Sequence, residues 1–463
     1  VSFEHQKENA TYTFEKTGPF FRRSLGYLDL YVIGFCILSD KLLNINLLVY
    51  CLGIYLAFRI LFISPDHAFA VLISLVPNLA VMFIPIPGLS VPIINVLIGI
   101  ALFKVLISNF KKPINKSYLF IIGLFIAYEW SHIFYYDIKS IILLFSWSFA
   151  ILYVSLYFFY SLKSYNHKVV IIYSIAGVLI SIFYGTLDFF ENYGTLMSNN
   201  ATIRFKGGAG DPNYFSMYVM ISLFLLLYLV KRETNKFFKF IYPLLFVFLV
   251  AFGVLSLSRM FLLVISLLLV LLLIKIIFRL KKNKKILFFI ISVIGFLVLF
   301  SIFFISEFTS ILNLLLSRFT DFIDDPSALT SNRNVLAEQY IELLMSDTKD
   351  MIFGMGIQDY HLRSGIQLQA HNIILELLVV WGLVGFLVFI LFIATFLKFS
   401  HVNRFNVKND FISWLPIICI GISYLSLNAM SNESFFLLLL FAIKNLQEFD
   451  SLEHDLMKNE YGL

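Results

Sequence analysis

Apolar residues recur along this chain in stretches of close to 20, separated by short polar breaks, from Leu25 almost to Gln447. A helix needs about 20 predominantly apolar residues to cross the hydrocarbon core of a bilayer, so each stretch reads as one crossing. The pattern predicts spans near residues 25–39, 42–63, 67–85, 88–109, 117–136, 139–161, 169–188, 214–230, 238–256, 260–279, 286–306, 371–397, 411–428 and 434–448. The run 237–279 is too long for one crossing, and its interruption at Ser256, Leu257, Ser258 and Arg259 is read as a tight turn between two spans. The predicted fold is all-α: a polytopic membrane protein of about fourteen transmembrane helices, with a large extracytoplasmic loop before the twelfth.

Composition agrees with the pattern. Hydrophobic residues make up 60% of the chain and charged ones 14%, against about 45–50% and about 25% in soluble domains, which excludes a water-soluble globule. Cys36, Cys51 and Cys419 lie inside apolar stretches without metal-like or redox spacing, and read as buried small hydrophobes. The sequence shows neither a period of 20–50 residues nor a low-complexity tract.

The basic residues orient the bundle. With the N-terminal side inside, 26 of the 35 Lys and Arg fall on inner segments and nine on outer ones, as the positive-inside rule requires. This predicts a cytoplasmic N-terminal segment (1–24), an integral membrane domain (25–448) with outer loops 189–213 and 307–370, and a cytoplasmic tail (449–463). The first twenty residues lack the apolar core of a signal peptide, so the first span is expected to direct insertion. Within the larger outer loop, Arg318 with Asp321 three residues on reads as a structural pair. A stretch with Val335, Leu336, Tyr340, Ile341 and Leu344 reads as an amphipathic helix packed on the membrane domain.

The sequence carries neither a nucleotide-type phosphate loop nor a His-Glu-x-x-His or Cys-x-x-Cys motif, which disfavours nucleotide-driven transport and zinc hydrolysis; no metal or other cofactor is expected. What stands out is a set of cationic groups on the less basic side: Arg204 and Lys206 in IRFKGGAGDPN, Arg259 in LSLSR, Arg333 in SNRN, and His371 in HNIILELL. A guanidinium never loses its charge in proteins and grips phosphate oxygens with a planar fork, so several at one membrane face suit a diphosphate. Each also has a plainer reading. An outer arginine can bind headgroups or pair with Asp, His371 can cap its helix, and Asp211 and Pro212 suit the N-cap and first turn of a helix. That same helix start turns N–H groups toward an anion beside Arg204 and Lys206. Glu129, His132, Asp188 and Glu191, near outer span ends, are candidates of second rank.

In order, Arg204 with GAGDPNYFS, then LSLSRMFLL, SNRNVLAEQYIELLMSDTKDMIFGMG and HNIILELLVVWGLVG resemble the O-antigen ligase and polymerase superfamily of bacterial surface-polysaccharide assembly. The resemblance covers roughly residues 200–390, and the earlier spans match only in being apolar. It implies metal-independent, inverting transfer of a glycan from an undecaprenyl (polyprenyl) diphosphate carrier at the outer face of a bacterial inner (plasma) membrane. It places Arg204, Arg259, Arg333 and His371 as catalytic, and Lys206, Asp211, Asn213 and Asn372 around the substrate. Expected partners are the lipid-linked glycan, membrane lipids and a chain-length regulator, with no nucleic acid. A polymerase for O-antigen or capsule repeat units is favoured over a ligase to lipid A core, because the Ile-, Phe- and Lys-rich chain resembles the divergent polymerases. A transporter is the alternative of a different class, whose signature would be broken helices with charge at the membrane midplane.

Overall fold

A computed structural model describes residues 27–43, 47–86, 89–160, 167–198, 204–233, 235–266, 333–357, 360–366, 368–399, 411–425, 427–428 and 434–444. The expected terminal segments, the span 286–306, most of the span 260–279, and Arg318 with Asp321 lie outside the described residues.

The first seven helices follow the apolar stretches: α1 (Leu28–Leu43), α2 (Leu47–Phe62), α3 (Pro65–Leu75), α4 (Ile93–Asn109), α5 (Lys116–Trp130), α6 (Ile138–Tyr160) and α7 (His167–Ser198). Then come α8 (Pro212–Arg232), α9 (Lys236–Leu255), α10 (259–266), α11 (Arg333–Ser346), α12 (Thr348–Phe353), α13 (Tyr360–Arg363), α14 (Ile373–Phe399), α15 (Phe411–Tyr424) and α16 (Ser434–Lys444). Among the described residues six helices are long and apolar enough to cross a membrane, and further apolar helices are shorter. The protein is thus an all-α polytopic membrane protein.

Local chemistry sets several starts. Ser64 caps α3 ahead of Pro65, and the side chains of Asn115 and Asn235 accept N–H groups at the starts of α5 and α9. Packing then ranks the helices by depth. The apolar window of α8 is 78% buried and that of α9 only 17%, so α8 runs through the centre of the bundle and α9 lines its lipid-facing rim. α8 packs against α7, α9 and α15; α14 packs on α5 and against α12.

Small residues on α7 let backbone come close, as helix interfaces in lipid require. A side chain at Gly177 would strike the backbone of Ser74, and one at Gly185 would strike Gly207. Asn78 donates from its side-chain amide to the Gly177 carbonyl at 3.0 Å, and Ser181 Oγ accepts the Gly208 N–H at 2.8 Å. α7 thereby fixes the loop that carries the first candidate residues.

Four expectations are corrected. The span 67–85 is an 11-residue helix continued by a 3-10 turn (Val76–Val81), and a β-hairpin, β1 (Phe83–Ile86) with β2 (Leu89–Pro92), follows it. The hairpin pairs antiparallel with Ile84 opposite Val91, because Pro85 and Pro92 deny the helix its N–H donors. α7 runs to Ser198 rather than ending near 188, since Asp188 and Glu191 both pair with Lys41, at 2.9 and 2.7 Å, which accommodates charge beyond the apolar window. Cys36 and Cys419 are buried, but Cys51 is exposed. A helix is present at residues 335–344 as α11, but it is not the amphipathic one expected: Leu336 and Tyr340 are buried, whereas Val335 and Ile341 are exposed, so its apolar residues do not share one buried face.

Candidate active site

Three backbone features assemble one end of the bundle. Phe205 N–H donates to the Leu255 carbonyl at 3.0 Å, which ties the loop before α8 to the end of α9. Asp211 caps α8, its side chain accepting the N–H groups of Asn213 (2.7 Å) and Tyr214 (3.1 Å), with Pro212 in the first turn. The chain between α9 and α10 turns sharply through Ser256, Leu257 and Ser258. Leu257 has a positive φ of 51°, and Ser256 Oγ donates to the Gly253 carbonyl at 2.6 Å. Both the Asp-Pro helix start and the turn at 256–259 stand where the sequence predicts them.

Arg204 bridges these two features. Its Nε donates to the Ser256 carbonyl at 3.1 Å and one terminal nitrogen donates to Asn213 Oδ1 at 3.0 Å. Arg259 opens α10 at the turn, and Arg333 opens α11. Arg333 lies in the electrostatic reach of both Asp211 and Arg259: burial lowers its pKa, Asp211 opposes that, and Arg259 adds to it.

His371 precedes α14 with a positive φ of 48°, a conformation uncommon for a residue with a side chain. Its N–H donates to Asn428 Oδ1 at 2.9 Å, and its Nδ1 is buried without a hydrogen-bond partner among the described residues. Burial lowers the imidazole's pKa, Arg333 lowers it further, and Asp211 raises it. Arg333, Asp211 and His371 therefore form one electrostatic cluster, joined to Arg259 through Arg333 and to Arg204 through Asn213 beside Asp211.

The remaining expected residues divide. Asn213 belongs to the cluster through Arg204, whereas Lys206 is exposed. Asn372 is occupied as the N-cap of α14, with Oδ1 accepting the N–H groups of Ile374 (2.9 Å) and Leu375 (3.3 Å). Sequence reasoning missed Asn428, which holds His371 and whose carbonyl accepts the Tyr214 hydroxyl at 2.6 Å. It also missed Gln369, which accepts from the Asn428 amide. An asparagine within the stretch read as span 411–428 was the available signal, because an unpaired amide is costly there.

Fold and site together define a multi-pass helical membrane protein with arginines and a histidine gathered at one end of the bundle. Residues 244–390 match the family model for O-Antigen ligase, which supports the O-antigen ligase/polymerase superfamily and a function of membrane glycosyltransferase type. The matched residues include Arg259, Arg333 and His371 and leave out Arg204 and the cap of α8. Neither a curated protein nor a solved structure matches the chain.

Proposed function

We propose that the protein is a polymerase that joins polyprenyl diphosphate-linked oligosaccharide repeat units at the outer face of the inner or plasma membrane. The observation that carries this is the convergence of Arg204, Arg259 and Arg333 on one cluster with His371. Like-charged guanidiniums, partly buried together, create a site for a multiply charged anion such as a diphosphate.

In this reading the hydroxyl of an acceptor sugar attacks the anomeric carbon of the donor. The bond from that carbon to the diphosphate oxygen breaks, and the electron pair leaves with the diphosphate, stabilised by the arginine forks. His371 accepts the hydroxyl proton as base; if it only orients, Asp211 is the carboxylate at hand. Displacement at one carbon inverts its configuration. A ligase would run the same step onto lipid A core, and the chemistry of the cluster serves both acceptors.

The break in α14 at Gly382 described below is the kind of feature a carrier would use. Its freed carbonyls are taken up by the protein's own loop rather than by a cavity, which favours the enzyme. The test is purified protein with its native lipid-linked repeat unit, without metal or nucleotide, and the products separated by size. A ladder of longer glycans that is lost in Arg259→Ala supports the polymerase. No ladder until lipid A core is added makes it a ligase, and no transfer to either acceptor removes the reading.

A further inference from the structure

Helix α14 is broken at Gly382, whose φ of 60° and ψ of −169° only glycine tolerates readily. Residues 373–381 form a short rod that follows directly from His371, and residues 383–399 form the rod that continues through the bundle. A break at this depth frees backbone carbonyls that lipid cannot satisfy. The segment after α12 supplies the donors: Met355 N–H to the Val379 carbonyl at 2.9 Å and Gly356 N–H to that of Val380 at 2.7 Å. The Tyr128 hydroxyl lies 2.7 Å from the carbonyl oxygens of both Phe353 and Trp381, and His132 Nε2 donates to Phe353 at 3.0 Å.

A buried carboxyl group sits in this joint, beside the Arg363 guanidinium, which donates to the Gly356 carbonyl at 3.1 Å and lies over the Tyr136 ring. Glu129, in the last turn of α5, is fully buried, and its carboxylate accepts from the Tyr136 hydroxyl, from Ile357 N–H at 2.9 Å and from the Trp381 indole N–H at 2.6 Å. Trp381 is the last residue before the break, on the His371 side. Ile357 begins the stretch that leads through Tyr360 back to His371, and the Tyr360 hydroxyl accepts the Ala370 N–H at 3.0 Å. Glu129 thus grips both strands of the arch that carries His371, and it grips them from α5, which carries none of the cluster.

We propose that Glu129 is a positioning residue for glycan transfer, holding the rod 373–381 and the returning loop so that His371 faces the arginine cluster. The proposal rests on the transfer reading for its effect on rate, but not for its structural content. Three donors facing two oxygens need an acceptor-only group, which a carboxylate is and an amide is not. In Glu129→Gln the amide can still accept from Tyr136 and Ile357 on its oxygen, but its NH₂ then confronts the Trp381 indole N–H. Removing that indole donor should therefore repair the damage.

The test uses full-length protein in nanodiscs: wild type, Glu129→Gln, Trp381→Phe and the double variant, read by hydrogen exchange and by initial rates with the lipid-linked donor. In Glu129→Gln, exchange of peptides covering 353–357 and 368–376 should rise about tenfold while peptides of α8 stay unchanged. The kcat should fall about 30-fold with KM for the donor within about twofold. Trp381→Phe alone should change both readouts about threefold, and the double variant should return to that level. Unchanged exchange, a wild-type kcat in Glu129→Gln, or a double variant no better than Glu129→Gln overturns the proposal. Should Glu129→Gln fail to fold, Trp381→Phe removes the grip on the rod 373–381 and leaves Glu129 paired to Tyr136 and Ile357; exchange at 368–376 equal to wild type would then overturn it. If wild type itself transfers no glycan, the enzymatic reading falls, and the exchange arm still decides whether Glu129 holds the His371 segment.

Discussion

Arg259 and Arg333 open two different helices and lie within each other's electrostatic reach, with Asp211 nearby to offset only part of their charge. Such an arrangement costs free energy until an anion enters, so an anion should stabilise the protein. Diphosphate at about 100 times its Kd should add roughly 2.7 kcal/mol, seen as a rise in melting temperature, and Arg259→Ala should abolish that rise. Arg259→Lys keeps the charge and loses the fork, so it should lower kcat/KM by about tenfold, near 1.4 kcal/mol, and Ala by more. His371 adds a pH dependence. Burial and Arg333 hold its pKa below the ordinary 6.5, so as a base it is already neutral at pH 7 and the acid limb of kcat/KM should lie below 6.5. Removing the cation in Arg333→Ala should move that limb up, and removing the anion in Asp211→Asn should move it down, whatever happens to the plateau. These residues were legible in the sequence because charge on the less basic side of so apolar a chain is conspicuous. Asn428 and Gln369 were not, because uncharged amides leave no mark on a charge count, and their role follows from where the chain brings them.

At the scale of elements, hydropathy placed most of the helices, and chemical signals marked the starts and breaks that an average blurs. Asp211 with Pro212 specifies a helix start by a side-chain acceptor and a missing N–H, and α8 begins there. FIPIPGLSVP, by contrast, is apolar enough to pass as parts of two spans, since hydropathy does not separate extended from helical backbone; its prolines carried the distinction. WGLVG likewise reads as continuous helix, and nothing in its hydropathy announces the break at Gly382. Two stability measurements check these elements. Asp211→Ala should destabilise the protein by about 1 kcal/mol, whereas Asp211→Asn, which keeps a capping oxygen, should melt near wild type. Gly382→Ala should cost about 3 kcal/mol or more, because its φ is strained for any side chain and a Cβ there would strike the Ile352 carbonyl. A melting temperature equal to wild type for Gly382→Ala would mean that α14 is not broken.

Across the whole molecule, long-range polar contacts join ends that the charge count assigns to the same side. On the less basic side Lys41 pairs with Asp188 and Glu191, Lys349 donates to the Tyr135 hydroxyl, and the Arg363 guanidinium lies over the Tyr136 ring. On the more basic side Arg59 pairs with Asp29, Lys104 donates to the Ile60 carbonyl, Tyr157 donates to Asp66, and Lys168 pairs with Glu233. Two layers of polar contacts, separated by apolar helix, are what alternate crossings of one bilayer produce, and the candidate cluster and the Glu129 joint both fall in the less basic layer. By the positive-inside rule we propose that this layer faces outward. In a background without Cys36, Cys51 and Cys419, the exposed positions Glu338 and Lys206 changed singly to Cys should react with an impermeant maleimide in intact spheroplasts. Lys111→Cys and Lys168→Cys should react only after the membrane is opened. The opposite result would put the arginine cluster on the cytoplasmic face and remove the extracytoplasmic reaction while leaving the fold untouched. Mixed labelling within one layer would instead break the fold's alternation of crossings, and with it the assignment of the cluster to a single membrane face.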